Sequence, residues 1–298
     1  MHLLITGASG FIGQALCQHW QGQHQLTLVS REPAAHRRPG KGRQPHFVKL
    51  SQLQDLTPFD GIVNLAGEPI LGRRWSQAQK QRIGQSRWQI TARLVDLLSR
   101  SQPKPRVWLN ASAVGYYGWH GGEALDETRG TIAPGFTHDI CARWEELAQE
   151  ASQWGARVCL LRLGMVLGRQ GGALAGMLPA YRLGLGATLG AGQQIYSWIA
   201  LPDLLRALDF LLKHDECQGA YNLTSPQPIS QADFSRQLAQ ALGRPHWLHL
   251  PAGLLSLLLG ERASLLLKGQ RVLPSRLQAA GFAFDYPSLD QALPALLR

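Results

Sequence analysis

A chain of 298 residues is long enough for one large α/β unit with a smaller appended lobe, and it can bury a full core without metal or disulfide staples. Its four cysteines, Cys17, Cys141, Cys159 and Cys217, are scattered, with no C-x-x-C pair and no histidine grouping of metal-ligand spacing, which argues against a disulfide scaffold or a metal site. The formal charge of +10 raises the question of nucleic acid or membrane, but the basic residues are spread along the chain. The densest basic run, His36 to Arg43, sits in a Pro/Gly-rich loop without interleaved aromatics, so no nucleic-acid partner is expected. The longest apolar run, Leu248 to Gly260, is broken by His249, Pro251 and Ser256 and falls short of a membrane span. Met1 leads at once into an apolar strand, which leaves no room for a signal peptide. The expectation is a soluble cytoplasmic protein with no membrane partner.

Short runs rich in Val, Ile and Leu alternate with longer segments of helical period, as a parallel sheet with crossover helices requires. Strands are predicted at Leu3 to Thr6, Leu26 to Ser30, Phe47 to Leu50, Gly61 to Ala66, Val107 to Ala111 and Val158 to Leu163, with helices at Ser76 to Ser99 and Thr137 to Trp154. This is a Rossmann-type doubly wound α/β fold, expected over residues 1–167 with later segments able to return to it. From Gly168 the pattern turns irregular and Gly-rich, which suggests a mixed substrate lobe over 168–243, and a compact helical module is expected over 244–298.

The first strand breaks into Thr6-Gly7-Ala8-Ser9-Gly10-Phe11-Ile12-Gly13, three glycines spaced three apart at the start of a helix. Gly7 permits a tight turn, Gly10 lets backbone approach phosphate oxygens, and Gly13 lets the helix pack closely. The helix N-terminus then presents free N–H groups and a positive dipole end to a pyrophosphate. At the end of the second strand, where an acid would bind the free ribose hydroxyl of NAD, stand Ser30 and Arg31; an arginine fork suits the 2′-phosphate of NADP(H). Small residues after the fourth strand, in Asn64-Leu65-Ala66-Gly67-Glu68, allow the backbone to pass under a cofactor.

Further motifs are more specific: Arg73-Arg74-Trp75, Ser86-Arg87, A-S-A-V-G-Y-Y-G at 111–118, Trp144-Glu145, V-L-G-R-x-G-G-A-L at 166–174, Ser197-Trp198-Ile199, and G-E-R-A at 260–263. With the G-x-x-G-x-x-G opening they resemble an atypical branch of the extended short-chain dehydrogenases/reductases, the YfcH-like, NAD-dependent epimerase/dehydratase-like family with its own short C-terminal domain. The resemblance covers essentially the whole chain. It implies an NADPH-binding core, with cofactor contacts assigned by position to Gly7, Gly10, Phe11, Ile12, Gly13, Ser30, Arg31, Leu65, Ala66, Arg87 and Val166.

Ordinary members of that superfamily use a serine with a Tyr-x-x-x-Lys pair, the lysine lowering the tyrosine pKa so that it can transfer a proton. Ser112, after the fifth strand, suits the serine role, but the pair is replaced by Cys141-Ala142-Arg143-Trp144-Glu145, which puts a thiol and a carboxylate where a phenol and an ammonium belong. Tyr117, in the Tyr116-Tyr117-Gly118 loop, is the alternative proton donor, and His138 precedes Cys141 by one helical turn. In the later half Arg162, Asp203 and Tyr221-Asn222 are candidates, with Asp203 read as a helix cap, and Gln193, Gln194, Tyr196 and Trp198 are read as ring-binding or lid residues. Two functions follow: an NADP(H)-dependent oxidoreductase or nucleotide-sugar-type epimerase of unknown substrate, or a non-catalytic NADPH-binding sensor of the kind linked to cell division. Oligomeric state is not legible.

Overall fold

The computed structural model describes residues 1–32, 46–128 and 132–298, so the basic run from His36 to Arg43 lies outside the described residues. Seven strands form one parallel sheet: β1 (His2–Thr6), β2 (Gln25–Val29), β3 (His46–Val48), β4 (Gly61–Asn64), β5 (Val107–Ala113), β6 (Arg157–Leu163) and β7 (Gly219–Leu223). Their spatial order is β7-β6-β5-β4-β1-β2-β3, so the direction of winding reverses between β1 and β4. A crevice opens at the carboxyl ends of the strands at such a reversal, and that is where doubly wound sheets bind ligands.

The helices are α1 (Phe11–Trp20), α2 (Gln77–Ser99), α3 (Phe136–Gln149), α4 (Gly172–Arg182), α5 (Leu201–Lys213), α6 (Gln231–Ala241), α7 (Ala252–Leu259), α8 (Ser264–Leu267), α9 (Ser275–Ala279) and α10 (Leu289–Leu297). One face of the sheet is covered by α1 and α5, through Leu16, Trp20, Leu204, Leu208 and Leu211. The other is covered by α2 and α3, through Leu94, Leu97, Leu98 and Ala148 against Leu4, Ile62, Trp108 and Leu160. Side chains buried on both faces explain why the strands read as continuous apolar runs.

Packing crosses the divisions expected at residues 168 and 244. β7 completes the main sheet beside β6. A second core joins Leu174, Leu178 and Tyr181 of α4 and Phe234 and Leu238 of α6 to Leu289 and Leu293 of α10, so the last helix belongs to the lobe. The terminal region is also not purely helical: His246–Leu250 pairs with Gly186–Leu189, and Arg271–Val272 with Ala124–Leu125. Asp203 is not a helix cap. Its buried carboxylate accepts the N–H groups of Asp285 and Tyr286, 2.8 and 2.9 Å away, and so anchors the chain leading into α10.

Candidate functional site

The glycine turn is held by contacts that explain two of its three glycines within the protein itself. Gly7 has φ +71°, and a Cβ there would lie 2.6 Å from the Leu65 carbonyl, so the chain leaving β4 rests directly on the turn. A Cβ on Gly13 would lie 2.3 Å from the Gly7 carbonyl oxygen, which fixes how closely α1 sits on the turn. Gly10 differs. It is exposed in extended backbone, and its Cβ would meet only the Gly7 carbonyl oxygen at 3.3 Å. The Gly10 N–H donates to the Gly7 carbonyl at 3.0 Å, no side chain caps α1, and its first turn carries no acid.

The aromatic ring of Phe11 is clasped by the segment read as the loose start of the lobe. Cβ atoms on Gly168, Gly171 and Gly172 would fall 2.6, 2.4 and 2.8 Å from its ring carbons, and that on Gly172 also 2.8 Å from the Val166 carbonyl oxygen. These glycines therefore join Val166 to the cofactor turn. Ile12 packs into the main core. Ser30 donates its N–H to Val48, its hydroxyl accepts the Glu32 N–H at 3.1 Å, and Arg31 is exposed at the end of β2. Arg87 is a strut beneath the loop carrying Leu65 and Ala66: its guanidinium donates to the Glu68 and Ile83 carbonyls at 3.1 and 2.9 Å and lies over Trp144. Burial lowers its pKa, opposed by the neighbouring Cys141 and Glu68.

Two polar rungs cross the carboxyl ends of the sheet, because residues paired in a parallel ladder lie side by side. The first is Thr6, Asn64 and Asn110. Thr6 donates to Asn64 at 2.6 Å, and Asn64 donates to Asn110 and to Thr91 of α2. The second is Ser112, Arg162 and Asn222 on β5, β6 and β7. Arg162 grips both carboxylate oxygens of Glu145 at 2.9 and 2.8 Å, Ser112 donates to Glu145 at 2.6 Å, and Arg162 donates to the Tyr117 hydroxyl at 3.0 Å. Tyr117 donates in turn to Asn222 at 2.9 Å, and the Tyr116 ring lies 3.5 Å from the guanidinium carbon. A cation therefore stands beside Tyr117, carried by β6, whereas a Tyr-x-x-x-Lys pair would carry one on α3.

Ser112, Tyr117, Cys141 and Glu145 are each 5% exposed or less. Burial and the charge of Glu145 push the Cys141 thiol up to about 12, and burial raises Tyr117 above its ordinary value although Arg162 opposes it. Burial alone would lower Arg162, but its bonds and charge pairing with Glu145 outweigh this and hold it above its usual value. His138 is turned to the Tyr116 carbonyl oxygen, 2.5 Å away. Glu127, unnoticed in the sequence, accepts the N–H groups of Asn222 and Arg276, and burial raises its pKa. Three of the four residues read as ring-binding or lid groups do other work: Tyr196 and Trp198 lie in the lobe core, and Gln194 donates to the Leu189 and Leu266 carbonyls, while Gln193 is exposed. Among the described residues no cluster of His, Cys, Asp or Glu suits a metal ion.

A parallel sheet of this order, with a glycine turn at its reversal, defines a Rossmann-type dinucleotide-binding fold. The chain belongs to the NAD dependent epimerase/dehydratase family, whose pattern matches residues 3–224, and residues 250–296 match a domain of unknown function, DUF1731. It is 37% identical over 296 residues to an epimerase family protein of Staphylococcus epidermidis, covering 99% of this chain and 98% of that one. It is also 37% identical over 306 residues to the chloroplastic SDR39U1 homolog of Arabidopsis thaliana, covering 100% of this chain and 87% of the other. Among solved structures, human SDR39U1 isoform 2 with NADPH superposes with a TM-score of 0.90 at 33% identity, covering 99% of each chain.

Proposed function

We propose that this chain binds NADPH and acts as a reductase of a carbonyl compound, in preference to an epimerase. The cradle fits the cofactor: Gly10 leaves room that a side chain would fill, the uncapped start of α1 suits a pyrophosphate, and Arg31 suits a 2′-phosphate. Leu65, Ala66, Arg87 and Val166 would border it, and human SDR39U1 is described with NADPH. When bound, NADPH supplies a hydride.

The direction of reaction is inferred from the surroundings of the proton-bearing groups: burial of Tyr117 and Cys141, and for Cys141 the charge of Glu145, favours their protonated forms. Cys141 at about 12 and the raised Tyr117 are neutral donors near pH 7, and Glu145 spends its lone pairs on Arg162 and Ser112. Reducing a carbonyl consumes a proton, whereas an epimerase begins by removing one from an alcohol. Arg162 and Glu145 keep Ser112 and Tyr117 in place, and the Ser112 side chain interacts with the Cys141 thiol.

The burial of all four candidate groups favours a second reading, an NADPH-holding protein without turnover. Incubating the protein with a metabolite extract and NADPH deuterated at the transferable position separates the two. A newly deuterated metabolite supports the reductase. Tight NADPH binding with no label transferred supports the second reading, and label exchange without a reduced product supports an epimerase.

A further inference from the structure

The apolar run that is too short to span a membrane does not fold into the core. It forms the strand His246–Leu250 and then α7, whose only buried residue is Leu255. Leu254, Leu257 and Leu258 share one face of that helix, and the last two are 75% and 64% exposed. Trp247 on the preceding strand is 74% exposed, and Leu183, next in sequence to Gly184, which approaches Pro245, is 76% exposed. Scattered apolar residues on a surface need no explanation, but a helix face and its neighbours uncovered together do.

The charge of the segments that carry these apolar residues is one-sided. Residues 182–185 and 244–268 carry Arg182, Arg244, Arg262 and Lys268 against Glu261 alone, and the Glu261 carboxylate already pairs with Lys80. We propose that this face rests on the surface of an anionic lipid bilayer, with the leucines and Trp247 in the boundary layer and the cations against headgroup phosphates. A second copy of the chain docked here would bring the same cations together. Spanning is excluded for this segment, since no described helix is long and apolar enough to cross a membrane. From the sequence no membrane partner is expected, on the shortness of the apolar run and the spread of the basic residues, but a surface contact needs neither a spanning length nor continuous apolarity. The inference is independent of the catalytic reading.

Flotation of the full chain with phosphatidylcholine vesicles, with and without phosphatidylglycerol, tests it. The chain is expected to float with the anionic vesicles, to be released by salt, and to partition at least about ten-fold less when Leu257→Glu and Leu258→Glu are combined. Unchanged NADPH affinity in that variant, and the same loss in Trp247→Ser, would show that the face and not the fold was altered. Absence of flotation, equal partition on both vesicle types, or no effect of the variants would overturn the proposal. A dimer in solution that the same variants dissociate, without flotation, would overturn it in favour of self-association.

Discussion

The cofactor cradle and the buried polar cluster occupy the same end of the same sheet but are built by opposite means. The cradle is made of backbone and of side chains that are absent, so Gly7, Gly10 and Gly13 specify it within one turn of chain. The cluster is made of side chains from β5, β6, β7, α3 and a loop, and Tyr117 meets Asn222 across 105 positions. A site defined by what the backbone leaves open survives most side-chain changes elsewhere. A site defined by mutually satisfied buried charges fails when any member is removed.

Removing the cluster's cation is the harshest way to test that contrast. Arg162→Met leaves the Glu145 carboxylate buried without its partner and should cost about 3–5 kcal/mol in urea unfolding, whereas pairing it with Glu145→Leu should restore most of that loss. A small loss in the single variant would mean that Glu145 finds water or another partner.

The cradle breaks in a graded way. Gly13→Ala should cost about 1–3 kcal/mol because α1 must move off the Gly7 carbonyl, and Gly7→Ala about 1–2 kcal/mol for its positive φ alone. Gly10→Ala should leave stability within about 0.5 kcal/mol, since its Cβ meets only the Gly7 carbonyl oxygen, while weakening NADPH binding if the proposed cradle holds the cofactor. Equal destabilisation at all three positions, measured by thermal unfolding beside NADPH titration, would erase the distinction. Arg31→Ala should weaken NADPH about ten- to a hundred-fold and change NADH little, because only NADPH offers a phosphate at the end of β2.

How far each region could be read from sequence follows the same division. Six of the seven sheet strands and both long helices were legible, because apolar runs and the glycine turn are local signals. β7 was not, because Gly219–Leu223 carries a polar Asn222 whose reason lies in Tyr117 and Leu273. The glycine turn was legible, but Gly168, Gly171 and Gly172 read as the start of a mixed substrate lobe and not as a clasp around Phe11, since a glycine does not announce which ring it makes room for. Arg162 did carry a signal: a charged residue inside the apolar run Val158 to Leu163 demands a buried partner. The sequence could not say that the partner was Glu145.

The smallest expected effect concerns Asp203, which ties the sheet to α10. Burial raises its pKa, opposed by the N–H groups of Asp285 and Tyr286 and by Arg206. The folded chain therefore binds this proton more tightly than the unfolded chain, so its contribution to stability is full below the ordinary carboxylate value and is lost as pH rises through the folded value. Asp203→Asn should flatten that part of the profile in unfolding measured from about pH 4 upward.

The reductive assignment rests on the cluster keeping its protons, and Cys141 reports this directly. Thiolate absorbance of the wild-type protein minus that of Cys141→Ala, followed against pH with and without NADPH, should show no step until the far alkaline range, in keeping with a thiol pushed up to about 12. A step near neutrality would make Cys141 a ready base, contradict the proton-holding cluster, and return the chemistry to alcohol oxidation or epimerisation.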